Sequence, residues 1–105
     1  MEKVYGFLVD NQGRCQHYHT DLDIIANRCQ ICNKLYSCFK CHDENELHSF
    51  EGFDFNSNKL SVMCCVCGQE FSYKIYSELN NCPSCKSSFN PRCKLHKNIY
   101  TKATN

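Results

Sequence analysis

The sequence predicts a small irregular fold stabilised by metal ions, with short β-hairpins and helical turns and little other regular secondary structure. Three observations support this prediction. The chain has 105 residues, a size at which a core is only marginally stable without cross-links. It contains 11 cysteines and 5 histidines, and many of the cysteines occur in closely spaced pairs. Its apolar runs are short, and none approaches the roughly 20 residues that cross a bilayer, so no membrane contact is expected.

Metal is favoured over disulfide bonds as the cross-link. Disulfide frameworks are typical of secreted proteins, whereas the first residues, MEKVYGFLVD, lack the apolar core and cleavage site of a signal peptide. Intracellular thiols are kept reduced, and CxxC pairs mixed with histidines are typical of zinc sites. An odd number of cysteines also cannot pair completely. We therefore expect a cytoplasmic zinc-binding protein.

The densest group of potential zinc ligands lies between Cys29 and His48. A structural zinc ion takes four protein ligands, so the six in this stretch overfill one site and underfill two. The side chains of adjacent residues diverge, which assigns Cys41 and His42 to different ions. The six ligands are Cys29, Cys32, Cys38, Cys41, His42 and His48.

The two missing ligands are expected to be Cys15 and His17, which have the close spacing of a ligand pair. The ligand pairs of the two sites then alternate along the chain, as in a cross-brace. Exchanging pairs between the two ions stays an open alternative. The favoured assignment places Cys15, His17, Cys38 and Cys41 on one ion and Cys29, Cys32, His42 and His48 on the other. Residues 1–14, which precede these ligands, are expected to form a strand or hairpin arm without a chemical role.

The second half of the chain predicts a third site. Two CxxC pairs stand fourteen residues apart, a spacing close to a known zinc pattern. Gly68 follows the first pair and suits the positive φ that turns backbone amides back onto the sulfurs. The ligands of this site are Cys64, Cys67, Cys82 and Cys85.

The predicted organisation is a two-zinc module over residues 1–55, a four-cysteine module over 56–100 and a frayed tail over 101–105. The boundary falls in residues 49–63, which contain no cysteine or histidine. The two modules are expected to form one compact domain.

Four potential ligands remain outside these sites. Cys65 lies beside Cys64 and is expected to be a free or packed thiol. Cys93 and His96 could hold a fourth ion together with His19, which leaves one place for water or another residue. Alternatively, His19 is a core histidine or a partner of a ligand, and Cys93 is a buried thiol. Three zinc ions are thus expected, and a fourth is possible.

The stretch RCQHYHTDLDIIANRCQICNKLYSCFKCHDENELH resembles the CHY-type zinc finger, whose name reflects the residues seen here as Cys15, His17 and Tyr18. The resemblance covers residues 14–100, and CFKCHDE at 38–44 is its most specific part. It implies a CHY-type module followed by a zinc-ribbon-like pair of knuckles, with three ions on the twelve positions already assigned.

The resemblance also implies a range of functions. Short stand-alone members of the family include small bacterial proteins and a fungal protein of the mitochondrial intermembrane space. The resemblance therefore implies the intermembrane space as the location if the source is eukaryotic. The fungal protein helps to assemble the small Tim chaperones by keeping them, or their oxidative partner, free of zinc. In ubiquitin ligases the same finger is followed by a RING. No second set of eight interleaved ligands follows the finger here, so ligase activity is not expected.

Closed sites predict a binding module and not an enzyme, because a catalytic zinc keeps one position open for water. The first functional hypothesis is therefore a monomer that binds an unidentified protein partner. Tyr36 and Phe39 are candidates for its contact surface, although both residue types are more often core in so small a domain. The second hypothesis is a zinc-handling or thiol-redox helper that gives zinc to a client protein or removes it.

Nucleic-acid binding is the least favoured function. The formal charge is +1, and nine ligand thiolates with three Zn²⁺ would bring it to about −2. The sequence also lacks the Cys-Cys-His-His spacing that carries a recognition helix.

Overall fold

The computed structural model describes residues 2–91 and 97–102. Within these residues every element is short, since the longest helix has seven residues and the longest strand four. The predicted small irregular fold is therefore confirmed. The elements are β1 (Val4–Tyr5), β2 (Ile25–Arg28), β3 (Leu35–Tyr36), α1 (Phe39–Asn45), β4 (Phe53–Asp54), β5 (Val62–Cys64), β6 (Glu70–Phe71), α2 (Tyr73–Ser77), α3 (Lys97–Tyr100) and β7 (Thr101–Lys102).

Five of the strands form one sheet in the order β1-β3-β2-β5-β6. The central strand β2 pairs antiparallel with β3 on one side and with β5 on the other. Because β2 and β5 come from different halves of the chain, this sheet crosses the predicted boundary between residues 55 and 56. The division into two modules within one compact domain stays a prediction. Thr101 and Lys102, predicted to begin the tail, form β7 and pair with β4.

The core is divided between the two faces of the sheet. Strand β2 illustrates this, since Ile25 belongs to the largest buried cluster and the next residue, Ala26, to a smaller one with Leu35 and Met63. Alternate residues of a strand point to opposite faces, so a strand covered on both sides is apolar at consecutive positions. Aromatic rings fill most of the larger cluster, with Tyr76 and Phe89 in contact at 5.4 Å between ring centres.

The end of the described chain packs on the segment between α1 and β4. Phe50 and Tyr100 meet edge to face at 5.4 Å. The amide of Phe39, the first residue of α1, donates a hydrogen bond to the Tyr100 hydroxyl at 3.1 Å. These contacts link the last described helix, α3, to the helix that carries metal ligands. No helix among the described residues has the length and apolarity to span a membrane.

Replacing Gly52 with alanine should destabilise the fold by about 1–3 kcal/mol, because the added methyl overlaps backbone that cannot move aside. A Cβ at this position would lie 2.6 Å from the amide nitrogen of Thr101 and closer still to the Tyr100 carbonyl. The free energy of unfolding in denaturant measures the effect. The matched control is Asn58→Ala, at an exposed position after β4. Equal unfolding free energies for the two variants would contradict the close approach.

Candidate metal centres

The structure brings the twelve predicted ligands together in three groups of four. Within each group, all four ligand atoms lie within 4.8 Å of one another. The pairs combine as in the favoured assignment, and the exchanged pairing is not seen. We name the groups site 1 (Cys15, His17, Cys38 and Cys41), site 2 (Cys29, Cys32, His42 and His48) and site 3 (Cys64, Cys67, Cys82 and Cys85).

The sulfur–sulfur distances fit a tetrahedral zinc ion. With Zn–S bonds of about 2.3 Å, two sulfurs on one tetrahedral ion stand about 3.8 Å apart. Cys15 and Cys38 are separated by 3.7 Å in site 1. In site 3 the distances are 3.8 Å between Cys64 and Cys85 and 3.6 Å between Cys67 and Cys82. A disulfide would require about 2.05 Å, so these thiols are free.

The histidine nitrogens fit the same geometry. For Zn–N bonds of about 2.0–2.1 Å, a sulfur and a nitrogen on one ion stand about 3.6 Å apart, and two nitrogens about 3.3 Å. His17 Nδ1 lies 3.5 Å from Cys38 Sγ and 3.3 Å from Cys41 Sγ. In site 2, His48 Nε2 lies 3.5 Å from Cys29 Sγ and 3.1 Å from His42 Nε2. The donor sets and their spacing therefore fit zinc at all three sites.

Three of the CxxC pairs share one backbone turn. In each, the amide of the residue after the second cysteine donates to the carbonyl of the first cysteine: Asn33 to Cys29 at 2.9 Å, Gly68 to Cys64 at 2.7 Å and Lys86 to Cys82 at 2.8 Å. The amide of the first cysteine then donates to the carbonyl of Lys34, Gln69 and Ser87, respectively. These two hydrogen bonds fold the turn so that both sulfurs of a pair lie on one side.

The residue after the second cysteine has a positive φ in all three turns. The values are 60° at Asn33, 83° at Gly68 and 68° at Lys86. The prediction for Gly68 is confirmed. Asparagine tolerates this backbone region, whereas a lysine there is strained. Lys86 is thus the one departure from favourable turn chemistry among the three.

The fourth CxxC pair uses a helix in place of a turn. Cys38 is the N-cap of α1, and its sulfur accepts a hydrogen bond from the Cys41 amide at 3.3 Å. Cys41 completes site 1, while His42 reaches site 2. Successive residues on a helix diverge by about 100°, so the two neighbours serve different ions, as the adjacency argument predicts.

The N-terminal arm, residues 4–9, covers site 1. The Phe7 amide donates a hydrogen bond to Cys41 Sγ at 3.4 Å. Gly6 allows the approach, because its φ is 137° and a Cβ there would lie 3.2 Å from Cys41 Sγ. The prediction that this segment has no chemical role is therefore wrong. A hydrogen bond donated by the backbone cannot be inferred from the side chains of the sequence, and only Gly6 could have indicated it.

Site 3 is the most exposed of the three sites. Cys67 is exposed and Cys85 is half-buried, whereas Cys64 and Cys82 are buried. The Ser87 hydroxyl, 3.3 Å from Cys85 Sγ, lowers the pKa of the Cys85 thiol to about 6 through its hydrogen bond. Cys67 and Cys85 can therefore be reached from solvent, and the Cys85 thiol deprotonates readily, as zinc ligation requires. Burial instead raises the pKa of the Cys64 and Cys67 thiols.

The remaining potential ligands lie outside the three groups. Cys65 is a free buried thiol, as predicted, and burial raises its pKa to about 12. His19 is exposed and joins none of the groups. Cys93 and His96 fall outside the described residues, so a fourth site stays a prediction.

The fold and its sites define a small protein held together by three clusters of four soft ligands. Residues 15–91 match the family described as CHY zinc finger. The chain belongs to the CHY zinc finger family, and the family and the clusters together support zinc binding.

Three relatives illustrate how far this similarity extends. The chain is 46% identical over 103 residues to Helper of Tim protein 13 of Kluyveromyces lactis, covering 95% of this chain and 90% of the relative. The Saccharomyces cerevisiae protein of the same name is 43% identical over 102 residues, covering 92% and 88%. A zinc finger protein of Arabidopsis thaliana, described as BRUTUS-like, is 33% identical over 88 residues, which are 78% of this chain but 6% of that protein.

Replacing Lys86 with glycine should stabilise the zinc-loaded protein by about 1 kcal/mol, because glycine relieves the positive φ without strain. The free energy of unfolding in denaturant, measured with zinc present, checks this. Lys86→Ala is the matched control, since it removes the side-chain hydrogen bond to the Pro83 carbonyl but keeps the strained Cβ. A gain that is the same for both variants would mean that backbone strain is not the cause.

Proposed function

We propose that this protein is a non-enzymatic, monomeric zinc-binding module that binds a partner protein and assists the assembly of other proteins. The observation that carries the proposal is the closure of all three sites. Each offers four protein ligands, the full set of a structural zinc ion. Zinc held in this way cross-links the chain and keeps no position open for water. The protein then offers a partner protein a surface on a rigid scaffold.

The names of the relatives support a more specific role. Two relatives covered over nearly their whole length are named as helpers of Tim proteins. We therefore propose Tim proteins as the clients. The corresponding location is the mitochondrial intermembrane space, which the CHY resemblance offered as the alternative to the cytoplasm.

The contact surface is proposed on the N-terminal arm. Tyr36, an earlier candidate, is only 2% exposed, and Phe39 is half-buried against the core. By contrast, Phe7, Leu8 and Val9 are three consecutive apolar residues with 38%, 40% and 56% of their surface exposed. Exposed apolar side chains held by a rigid segment are typical of protein contact sites.

Expression of this chain in Saccharomyces cerevisiae lacking its own Helper of Tim protein 13 tests the role. We expect the chain to restore the amount of assembled Tim proteins and to co-purify with them. The double variant Leu8→Ser/Val9→Ser should reduce co-purification about tenfold or more, the loss expected when a central apolar contact worth over about 1.4 kcal/mol is removed.

Leu47→Ser is the matched control, because Leu47 is a fully exposed leucine on another part of the surface. The control should bind as the unaltered chain does. A folded, zinc-loaded chain that neither restores assembly nor co-purifies with Tim proteins would refute the role. If the control and the double variant lost binding equally, the arm would not be the contact surface.

A second candidate function is zinc exchange with a client, and the exposure of site 3 favours it. Ligand exchange requires an incoming donor to approach the metal or to replace one thiolate. Cys67 is exposed on site 3, whereas three of the four ligands of site 1 are buried. An incoming thiolate or chelator would therefore meet site 3 first.

Mild chelation should accordingly remove one zinc ion before the other two. We expect a thiol reagent added at that stage to label Cys67 and Cys85 first and the buried Cys65 last. Native mass spectrometry gives the ion count, and peptide mapping gives the labelled cysteines. Loss of all ions in a single step together with unfolding would contradict zinc exchange, because metal binding would then be inseparable from folding at every site.

A further inference from the structure

We infer that Asp43 and Glu44 are positioning residues for the two histidine ligands that face them. Each carboxylate holds the ring nitrogen that is turned away from the metal, and so sets which nitrogen binds the ion. The inference rests on zinc binding at sites 1 and 2. It adds two residues of α1 that are not ligands themselves.

Asp43 acts on site 2 through His42. The Nε2 atom of His42 faces the other ligands of the site, and its Nδ1 atom lies 2.9 Å from Asp43 Oδ1. The His42 side chain is fully buried, so an Nδ1–H without an acceptor would be unfavourable. The Asp43 carboxylate supplies this acceptor. It therefore keeps the Nδ1 proton in place and leaves Nε2 free for the metal.

The same carboxylate oxygen also fixes the loop that carries the fourth ligand of site 2. Asp43 Oδ1 accepts a hydrogen bond from the amide of Phe50 at 2.8 Å. Phe50 lies two residues after His48, and its ring meets His42 edge to face at 5.3 Å between centres. One carboxylate thus holds the ring of one histidine ligand and the backbone next to the other.

Glu44 has the corresponding position at site 1, with the nitrogens reversed. His17 turns Nδ1 toward Cys38 and Cys41, and its Nε2 lies 3.3 Å from Glu44 Oε2. The Glu44 side chain is 54% exposed and the His17 side chain 21%. Both carboxylates are exposed, but water can reach the His17 ring and not the fully buried His42 ring. The contribution of Glu44 to metal affinity should therefore be smaller than that of Asp43.

These two acidic residues have an ordinary explanation as a solvated helix face. The pairing of each with the distal nitrogen of a different histidine argues against it. Four consecutive residues of α1 contribute Cys41 to site 1, His42 to site 2, Asp43 to His42 and Glu44 to His17. Carboxylates that hold the second nitrogen of a ligand histidine typically change metal affinity by 10–100-fold when removed.

The test compares Asp43→Asn, Asp43→Ala and Glu44→Gln with the unaltered chain. Asparagine keeps a hydrogen-bond acceptor but removes the charge, whereas alanine removes both. Asp54→Asn and Glu78→Gln are matched controls at exposed carboxylates outside the three sites. Each ¹⁵N-labelled protein is titrated with zinc against a competing chelator. Histidine ring signals report sites 1 and 2, and the Gly68 amide reports site 3.

We expect Asp43→Ala to weaken zinc binding at site 2 by about 10–100-fold, Asp43→Asn to fall between it and the unaltered chain, and site 3 to be unchanged. Glu44→Gln should weaken site 1 by less than about tenfold. The Nδ1 proton signal of His42, shifted downfield by a carboxylate acceptor, should move upfield in both Asp43 variants and in neither control.

Equal weakening at all three sites would show a general loss of stability and overturn the inference. So would an unchanged affinity and an unchanged Nδ1 signal in Asp43→Ala. If the unaltered chain bound no zinc at site 2, the proposed zinc binding itself would fail. The titration of the unaltered chain distinguishes this result from the two results that overturn the inference.

Discussion

Neighbouring residues of a chain cannot readily bind one tetrahedral ion, and the whole arrangement depends on this constraint at Cys41 and His42. Helix α1 presents them to different sites, so one short helix joins two metal sites. Each site then needs a ligand pair from another segment. Site 1 takes it from Cys15 and His17, and site 2 from the turn that begins at Cys29. Two loops with few apolar residues are thereby fixed to the helix, which offsets the small core of a chain of this length.

The metal turns also organise the sheet. The turn beginning at Cys29 connects β2 with β3, and the turn at Cys64 connects β5 with β6, so the cysteine pairs stand where hairpin turns would otherwise be. The turn at Cys82 is closed in the same way by a bridge between Asn81 and Ser88. Since β2 and β5 also pair with each other, sites 2 and 3 lie at the turns of adjacent hairpins in one sheet. Strands of two to four residues become sufficient because the metal turns hold their ends.

Much of this could be predicted from the sequence, because ligand chemistry is local and countable. Four ligands per ion, together with the adjacency of Cys41 and His42, were enough to group the residues that the structure brings together. The positive φ at Gly68 followed from the turn that a CxxC pair requires. The sheet across residues 55 and 56 was not predictable, since strands of two or three residues leave no reliable periodicity. The hydrogen bond from the Phe7 amide was not predictable, because a backbone donor is not tied to a residue type. The positive φ at Lys86 follows from the same turn position as Gly68, but a lysine does not mark that position as a glycine does. Asp43 and Glu44 have the appearance of an ordinary acidic helix face until the histidine nitrogens are located.

The central claim is that three closed metal sites, each with four ligands, hold this fold together. Native mass spectrometry of the protein prepared with zinc under reducing conditions, followed by a thiol count after denaturation, tests it most directly. The account predicts at least three zinc ions on each folded chain and, once the metal is removed, all nine ligand cysteines recovered as free thiols. A folded chain with fewer than three ions, or with disulfides among these nine cysteines, would contradict it.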